Sequence, residues 1–254
     1  MIRLTYVGHS TVQIEALGLR LLTDPVLRPR VLHLRRIVPL RPHPGLREPD
    51  AVLISHAQID HLDVPSLRRV RSCRVLAPAG TRRTLARAGM TDVSELRPGD
   101  SASLGPIEVT AIQMEHRGGR HPLVSAHETL GYLIDCTVRI LFIGDTDLFE
   151  GMRELAGKVD VALIPIWGWG PRVDAGHMDP DRAARAVEYL QPRIAIPIHW
   201  GTLASPNVWW RRDPQAPARE FKQRAGELAP EVDVRVLEPG TSTQVVIDPG
   251  AASS

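Results

Sequence analysis

Short apolar runs that end close to a histidine or an aspartate recur along this chain of 254 residues, and they constrain its fold more than any other feature. The alternation and the β-branched content predict strands at 51–55, 74–77, 107–113, 130–135, 138–143, 159–164 and 194–198. Four of these runs are followed within a few residues by a possible metal ligand, namely His56, His116, Asp145 and His199. Loops from one edge of a sheet meet, so these side chains are expected to cluster there.

The remaining segments predict a two-sheet protein with helices outside the sheets. Further strands are expected at 2–7, 11–15, 19–23, 232–237 and 243–247, and helices at 65–71, 81–88 and 216–228. Asp179 is a good N-cap and Pro180 suits the first position of one more helix. No stretch resembles an interdomain linker, so the chain reads as one domain over 1–248 with a flexible tail at 249–254.

The composition is that of a globular protein rather than of a membrane protein. Hydrophobic residues make up 43% and charged residues 24%, as in an ordinary globular chain, and no apolar run approaches the roughly 18 residues of a membrane span. The net charge of +2 gives no reason to expect a nucleic-acid partner. Two cysteines and the absence of a signal-peptide pattern favour the cytoplasm. An oligomer is compatible with all of this.

The densest cluster of candidate ligands follows the run at 51–55. It reads Ser55-His56-Ala57-Gln58-Ile59-Asp60-His61. In an extended segment residues i and i+2 point the same way, so His56 and Gln58 can converge, and a following turn lets Asp60 and His61 face a neighbouring point. Imidazole nitrogen and carboxylate oxygen are the ligands of Zn²⁺ in open catalytic sites. An isolated histidine would more often have a surface or capping role, but the cluster together with the other strand ends favours a metal.

The order of these residues resembles the metallo-β-lactamase superfamily, whose signature is His-x-His-x-Asp-His, a later His, a Gly-Asp pair and a final His. The matching residues are His56-x-Gln58-x-Asp60-His61, His116, Gly144-Asp145 and His199. Other segments are similar to the branch of metal-dependent hydrolases that contains N-acyl-phosphatidylethanolamine-hydrolysing phospholipase D and L-ascorbate-6-phosphate lactonase. Those segments are Gly8-His9-Ser10-Thr11, Thr23-Asp24-Pro25, His177-Met178-x-Pro180 and Pro197-Ile198-His199-Trp200-Gly201-Thr202.

The resemblance, which covers residues 2–202, implies a four-layer αββα sandwich of two mostly antiparallel or mixed sheets with a metal centre at one edge. It implies one or two Zn²⁺ ions, without excluding Mn²⁺ or Fe²⁺, and a metal-bound hydroxide that attacks an ester, lactone or phosphodiester of a small molecule. The implied first site is His56, Gln58 and His116, the second is Asp60, His61 and His199, and Asp145 bridges them. Asp60 and His177 are the implied catalytic residues, with His9 and Asp24 as supports.

Two departures from the family pattern leave alternatives open. Gln58 stands where the family usually has histidine, and an amide oxygen is a weaker ligand. The chain is then a binuclear enzyme that tolerates Gln58, an enzyme with one tightly held metal, or a catalytically degenerate metal- or ligand-binding protein. Asp147 replaces a common glycine and is either a solvated loop residue or an acceptor that orients a ligand histidine.

A basic segment bears on the substrate. Residues 25–49 read as a long loop that carries six arginines and no acidic residue before Glu48. The segment is either a solvated, arginine-rich loop or a lid that binds a phosphate or carboxylate. The second interpretation predicts a small anionic substrate.

Overall fold

The computed structural model describes residues 1–43, 45–116, 128–168, 173, 176–205 and 213–246. Two seven-stranded sheets dominate it. With strands numbered in chain order, the first sheet runs in the spatial order β17 (Thr241–Val245), β1 (Ile2–Gly8), β2 (Thr11–Ala16), β3 (Leu19–Thr23), β6 (Ala51–Leu53), β7 (Arg74–Pro78) and β8 (Val93–Leu96). The predicted tail at 249–254 lies outside the described residues.

The second sheet also contains seven strands. Its spatial order is β16 (Asp233–Val234), β14 (Ile194–Ile198), β13 (Val161–Pro165), β12 (Arg139–Phe142), β11 (Leu130–Asp135), β10 (Ile107–Gln113) and β9 (Ser101–Leu104). In each sheet one half is antiparallel and the other half is parallel. The predicted sandwich of two mixed sheets is therefore confirmed.

Alternation along the strands builds separate cores on the two faces of the first sheet. Ala51 and Leu53 of β6 point into the core between the sheets, whereas Val52 packs in a second cluster on the outer face. Helices α1 (Val64–Leu67) and α2 (Arg82–Arg87) contribute Leu67 and Leu85 to that outer cluster. Helices thus cover the outside of the first sheet.

Helices α3 (Pro180–Leu190) and α4 (Ala216–Leu228) pack against each other and join the main core. Asp179 caps α3 as predicted, because its side chain accepts a hydrogen bond of 2.9 Å from the Arg182 backbone N–H. A 3₁₀ helix spans Glu150–Leu155. None of the helices among the described residues is both long and apolar enough to cross a membrane.

The prediction of a continuous loop over 25–49 is wrong. Strands β4 (Arg30–Val31) and β5 (Leu34–Arg36) form a hairpin there, and β5 pairs with β15 (Leu203–Ala204). Strands this short carry too few residues to show an alternation, although Val31, Leu34 and Leu203 are buried together. The predicted strand at 232–237 is likewise reduced to the two residues of β16.

The directions of the strands determine which carboxyl-terminal ends lie together at an edge of each sheet. In the first sheet β1, β3 and β6 run parallel to one another, since β1 and β3 are each antiparallel to β2 and β6 is parallel to β3. In the second sheet β10, β12 and β14 run parallel for the same kind of reason. In each sheet these three carboxyl ends therefore lie at the same edge.

Candidate metal centre

Every residue expected to bind the metal follows one of these six carboxyl ends, whereas His177 precedes α3. The first sheet supplies His9 after β1, Asp24 after β3 and the segment 55–61 after β6. The second sheet supplies His116 after β10, Asp145 after β12 and His199 after β14. Ring contacts and ion pairs join residues of both sheets, for example His61 with Asp145 and His56 with His116. The two sheets therefore build one centre.

The backbone turns sharply where it delivers three of these side chains. His9, Asp24 and His199 have positive φ angles of 57°, 30° and 64°, a left-handed conformation that is uncommon for residues other than glycine. Such strain persists only where surrounding contacts fix it. Here the His199 backbone N–H donates to the His9 carbonyl at 2.8 Å, and the Asp24 N–H donates to the Leu53 carbonyl at 2.9 Å.

A glycine permits the close approach of the two sheets beside Asp145. A Cβ atom at Gly144 would lie 2.6 Å from the Ser55 Cβ and 2.8 Å from the Leu130 carbonyl oxygen. Any larger residue would push β12 away from the segment that begins at Ser55. Gly144 thus sets the distance between Asp145 and the histidines of the first sheet.

Asp24 organises the first-sheet histidines through Ser55. Its carboxylate accepts hydrogen bonds from the Ser55 N–H at 2.7 Å, the Ser55 hydroxyl at 2.6 Å and His61 Nδ1 at 2.8 Å. Because the Ser55 hydroxyl gives its proton to Asp24, it accepts from His56 Nδ1 at 2.9 Å. Both His56 and His61 therefore carry the proton on Nδ1 and present Nε2 to the centre.

The second-sheet histidines are held in the same tautomer by backbone carbonyls. His116 Nδ1 donates to the Gly176 carbonyl at 2.7 Å, and His199 Nδ1 donates to the Trp167 carbonyl. A carbonyl can only accept, so both rings carry the proton on Nδ1 and keep the lone pair on Nε2. Metal-binding histidines usually have this arrangement, with the second nitrogen bonded to an acceptor.

The Nε2 atoms converge on the buried carboxylate of Asp145. His61 and His177 lie 3.1 Å from Oδ2, His199 lies 3.3 Å from Oδ1 and His56 lies 3.9 Å from Oδ2. Among the described residues, Nε2 of His56, His61 and His199 and Oδ1 of Asp145 are buried without a hydrogen-bond partner. Buried polar atoms are normally satisfied, so this set of donors fits a bound cation.

In the part of the chain that the structure describes, three groups of side chains have ligand atoms within 4.8 Å of one another, namely His9–Asp60–His61–His199, Asp24–His56–His61 and His56–His116–Asp145. The first group contains all three residues expected at the second site and adds His9. The third group contains both histidines expected at the first site and adds Asp145. The residues expected at each site are thus brought together, and His9 lies nearer the centre than its expected role as a support required.

The buried carboxylate and the imidazole rings around it shift one another's pKa values. Burial alone would raise the pKa of Asp145, but His199, His61 and His177 outweigh it and hold that pKa well below its usual value. Burial lowers the pKa of His56 well below its ordinary value and that of His199 to about 3. His61 behaves oppositely: burial disfavours its charge, yet Asp145 and Asp60 raise its pKa well above the usual value.

Gln58 lies beside the implied first site but points its amide nitrogen at a ligand. Gln58 Nε2 is 2.9 Å from His116 Nε2, and His116 donates through its other nitrogen, so the amide donates to the lone pair of His116. The lone pair that would bind a metal is therefore engaged in a hydrogen bond. The amide oxygen, the atom expected to act as a ligand, is not the one that faces His116.

Asp147 is not a freely solvated loop residue. Its carboxylate accepts a hydrogen bond of 2.6 Å from Arg182 of α3, and its backbone N–H donates to the Glu115 carbonyl at 2.9 Å. The Gly176 N–H also approaches Asp147 Oδ2 at 3.5 Å, and the Gly176 carbonyl is the acceptor for His116. Asp147 thus connects the segments that carry His116 and His177. No pattern in a single sequence signals the Arg182 partner.

Several known proteins with related sequences are named as hydrolases. Residues 19–200 match the Beta-lactamase superfamily domain. The chain is 33% identical over 260 residues to a UPF0173 metal-dependent hydrolase of Opitutus terrae, covering 96% of this chain and 100% of that protein. It is 27% identical over 255 residues to N-acyl-phosphatidylethanolamine-hydrolyzing phospholipase D 1 of Caenorhabditis elegans, covering 88% of this chain and 70% of that protein.

Solved structures share the fold. Igni18, a metallo hydrolase from Ignicoccus hospitalis, superimposes with a TM-score of 0.71 at 24% identity, covering 97% of this chain and 99% of that chain. CmlA, a diiron β-hydroxylase from Streptomyces venezuelae, gives a TM-score of 0.73 at 22% identity, covering 96% of this chain and 54% of that chain. At these identities the likeness concerns the fold.

Proposed function

Because this chain belongs to the metallo-β-lactamase superfamily and its relatives include proteins named as metal-dependent hydrolases, we propose that it is a zinc-dependent hydrolase of esters, lactones or phosphodiesters. The proposed ligands are His56, His116 and Asp145 for a first ion and Asp60, His61, Asp145 and His199 for a second, with Gln58 at the edge of the first position.

One observation carries the proposal: three histidines, His56, His61 and His199, have Nδ1 bound to an acceptor and Nε2 directed to the buried carboxylate of Asp145. Imidazole and carboxylate donors are the set that Zn²⁺ takes in catalytic sites, although Mn²⁺ and iron also bind such donors. A divalent ion bound there would lower the pKa of water towards neutrality and polarise the carbonyl or phosphoryl oxygen of the substrate.

The protein groups around the ion support proton transfer. His177 Nε2 lies 3.1 Å from Asp145 Oδ2, and that carboxylate raises the pKa of His177 although partial burial opposes the charge. His177 can therefore hold a proton at the centre and give it to the leaving oxygen after the bond breaks. Asp60 is held by His9, whose Nε2 lies 3.1 Å from Asp60 Oδ2. The structure thus supports a catalytic role for His177 and a ligand role for Asp60.

The basic segment supports a small anionic substrate only in part. Arg28 forms two hydrogen bonds to Asp63, at 2.6 and 2.8 Å, and Arg36 donates to the carbonyls of Val26 and Val7. These two arginines hold the segment in place. Arg30, Arg35, Arg41 and Arg47 are exposed, and their guanidinium groups make no hydrogen bond or ion pair with the described residues.

Metal content and turnover measured on one preparation test the proposal. The protein is stripped with a chelator, reloaded separately with Zn²⁺, Mn²⁺ or Fe²⁺, and assayed on bis-p-nitrophenyl phosphate, p-nitrophenyl esters and a panel of lactones. We expect Asp145→Asn to lower bound zinc and to reduce kcat/KM by more than about 100-fold, since changes outside the ligand shell already cost 10–100-fold. Asp100→Asn, an exposed aspartate outside the centre, is the matched control.

Two outcomes would contradict the proposal. Full metal content and turnover in Asp145→Asn would show that this centre is assigned wrongly. Tight zinc binding without turnover of any substrate class would favour the degenerate metal-binding protein, an alternative to which the Gln58–His116 hydrogen bond gives specific support.

A further inference from the structure

A cavity of about 570 Å³ opens on the basic segment, and none of the proposed metal ligands lines it. It adjoins a smaller cavity of about 330 Å³, with which it shares Leu27, Leu40 and Arg69. Small-molecule sites commonly have volumes of about 300–1,000 Å³, an apolar lining and a few polar groups that fix orientation. The size of this cavity therefore suits a small organic ligand.

The floor of the cavity is apolar. Leu27 and Leu46 are buried members of the core on the outer face of the first sheet, and Leu40 packs against the same core. Leucine side chains offer no hydrogen bonds, so the floor suits an aliphatic group. A fully polar ligand would gain nothing from this part of the site.

The rim carries positive charge that the protein does not neutralise. Arg41 and Arg47 are exposed, and their guanidinium groups make no ion pair or hydrogen bond with any described residue. Arg69 also lines both cavities, where its guanidinium donates to the Leu27 carbonyl at 2.7 Å. Glu48 is the one acidic residue among those that line the larger cavity. The charge at the rim thus favours an anion.

The walls are fixed by bonds outside the cavity. Arg28 is clamped by Asp63, the Leu27 N–H donates to the Ser66 hydroxyl at 2.7 Å, and the Arg71 N–H donates to the Arg47 carbonyl at 2.6 Å. A site whose walls are held in place loses little conformational entropy when a ligand binds.

We propose that this cavity is a binding site for a small amphipathic anion, an aliphatic carboxylate or an alkyl phosphate. The alkyl chain lies on Leu27, Leu40 and Leu46, and the anionic group meets Arg41 and Arg47 at the rim. Guanidinium groups pair with carboxylates and phosphates through two parallel hydrogen bonds, which suits either head group. Binding here requires no metal and no reaction, so it is measured separately from hydrolysis.

Calorimetry with four probes tests the site. Octanoate and octyl phosphate carry both the chain and the charge, octanol carries the chain alone and inorganic phosphate carries the charge alone. We expect one or both amphipathic anions to bind at least about tenfold more tightly than octanol and phosphate, and to bind metal-free and zinc-loaded protein equally. The better of the two identifies the head group.

Paired arginine variants locate the binding. Arg41→Ala with Arg47→Ala is expected to weaken binding of the better probe by at least about tenfold, the effect of losing one charge-assisted pair. Arg30→Ala with Arg35→Ala removes the same charge from exposed positions of the same segment that line neither cavity, and it should change binding little. The conservative pair Arg41→Lys with Arg47→Lys should recover part of the affinity.

Three results would overturn the proposal: no binding of either amphipathic anion, equal losses in the two alanine pairs, or binding that disappears when the metal is removed. The last result would place the anion at the metal centre. Melting temperatures within the wild-type range confirm that each variant is folded before its binding is compared.

Discussion

At the residue scale, Gln58 bears on how many ions the proposed centre would hold. Its amide donates to His116 Nε2, so a metal at the first position must displace that hydrogen bond and receives a weaker ligand than histidine in return. We predict that the wild type holds nearer one zinc than two when zinc is limiting. Gln58→His should bind the second zinc at least about tenfold more tightly.

Calorimetric titration of zinc into metal-free protein measures this difference. Gln223→His, which adds a histidine to the exposed side of α4, is the control for non-specific zinc binding. Activity should rise in Gln58→His if both metals take part in the reaction. Two equally tight sites in the wild type that Gln58→His leaves unchanged would contradict the mononuclear interpretation.

His9 is the residue whose importance the sequence understated. It is buried, its ring packs 4.0 Å from that of His199 between centroids, and its Nε2 contacts Asp60. We predict that His9→Asn weakens zinc binding by about 10–100-fold, because asparagine tolerates the left-handed backbone but is too short to reach Asp60. His9→Gln restores the reach and should recover most of the affinity.

The matched control for His9 is His33→Asn, at an exposed position of the β4–β5 hairpin. Equal zinc affinity in wild type and His9→Asn would show that Asp60 needs no partner. The resemblance of the segment Gly8-His9-Ser10-Thr11 to the family implied His9 as a support. The sequence did not reveal that His9 meets Asp60, since the two residues lie 51 positions apart and are joined by the pairing of β1, β2, β3 and β6.

Among the elements, α3 is coupled to the metal centre through its first turn. Arg182 of α3 bonds Asp147, and Asp147 bonds the strand end that precedes His116. We predict that Arg182→Ala and Asp147→Ala each lower kcat/KM by about tenfold, and that the double variant loses hardly more than either single variant.

A double-mutant cycle on kcat/KM and on zinc affinity measures this coupling. Arg185→Ala, on the same helix and paired with Asp181 on the surface, should leave both quantities near wild type. Additive losses in the double variant would show that Arg182 and Asp147 act independently.

Long elements were predictable and short ones were not. The strand Ile194–Ile198 and the helix Ala216–Leu228 begin and end where the sequence predicts, since each carries a long apolar pattern. Strands β4, β5 and β15 have two or three residues each, and their pairing with one another depends on contacts across the fold. Prolines and arginines therefore made residues 25–49 look like an open loop.

At the scale of the whole molecule, the centre joins the two sheets. His9, His56, Asp60 and His61 come from the first sheet, and His116, Asp145 and His199 from the second. Three side chains of the second sheet therefore approach four of the first around a carboxylate that is buried and surrounded by imidazoles. A cation bound beside Asp145 would attract this carboxylate and ligands from both sheets, so a bound ion should stabilise the contact between the sheets.

This arrangement links zinc binding to thermal stability. An ion that binds only the folded chain adds about 2.7 kcal/mol at a free concentration 100 times its Kd, which for a protein of this size is roughly 5–10 °C in melting temperature. We predict a rise of this order when zinc is added to metal-free protein, and its reversal by a chelator. Magnesium, which prefers oxygen ligands, should have little effect.

Differential scanning calorimetry measures the shift in the wild type and in Asp145→Asn. In the variant the rise should largely disappear, because the carboxylate shared by both proposed sites has lost its charge. An equal rise in the two proteins would mean that zinc stabilises the chain from somewhere other than the junction of the sheets.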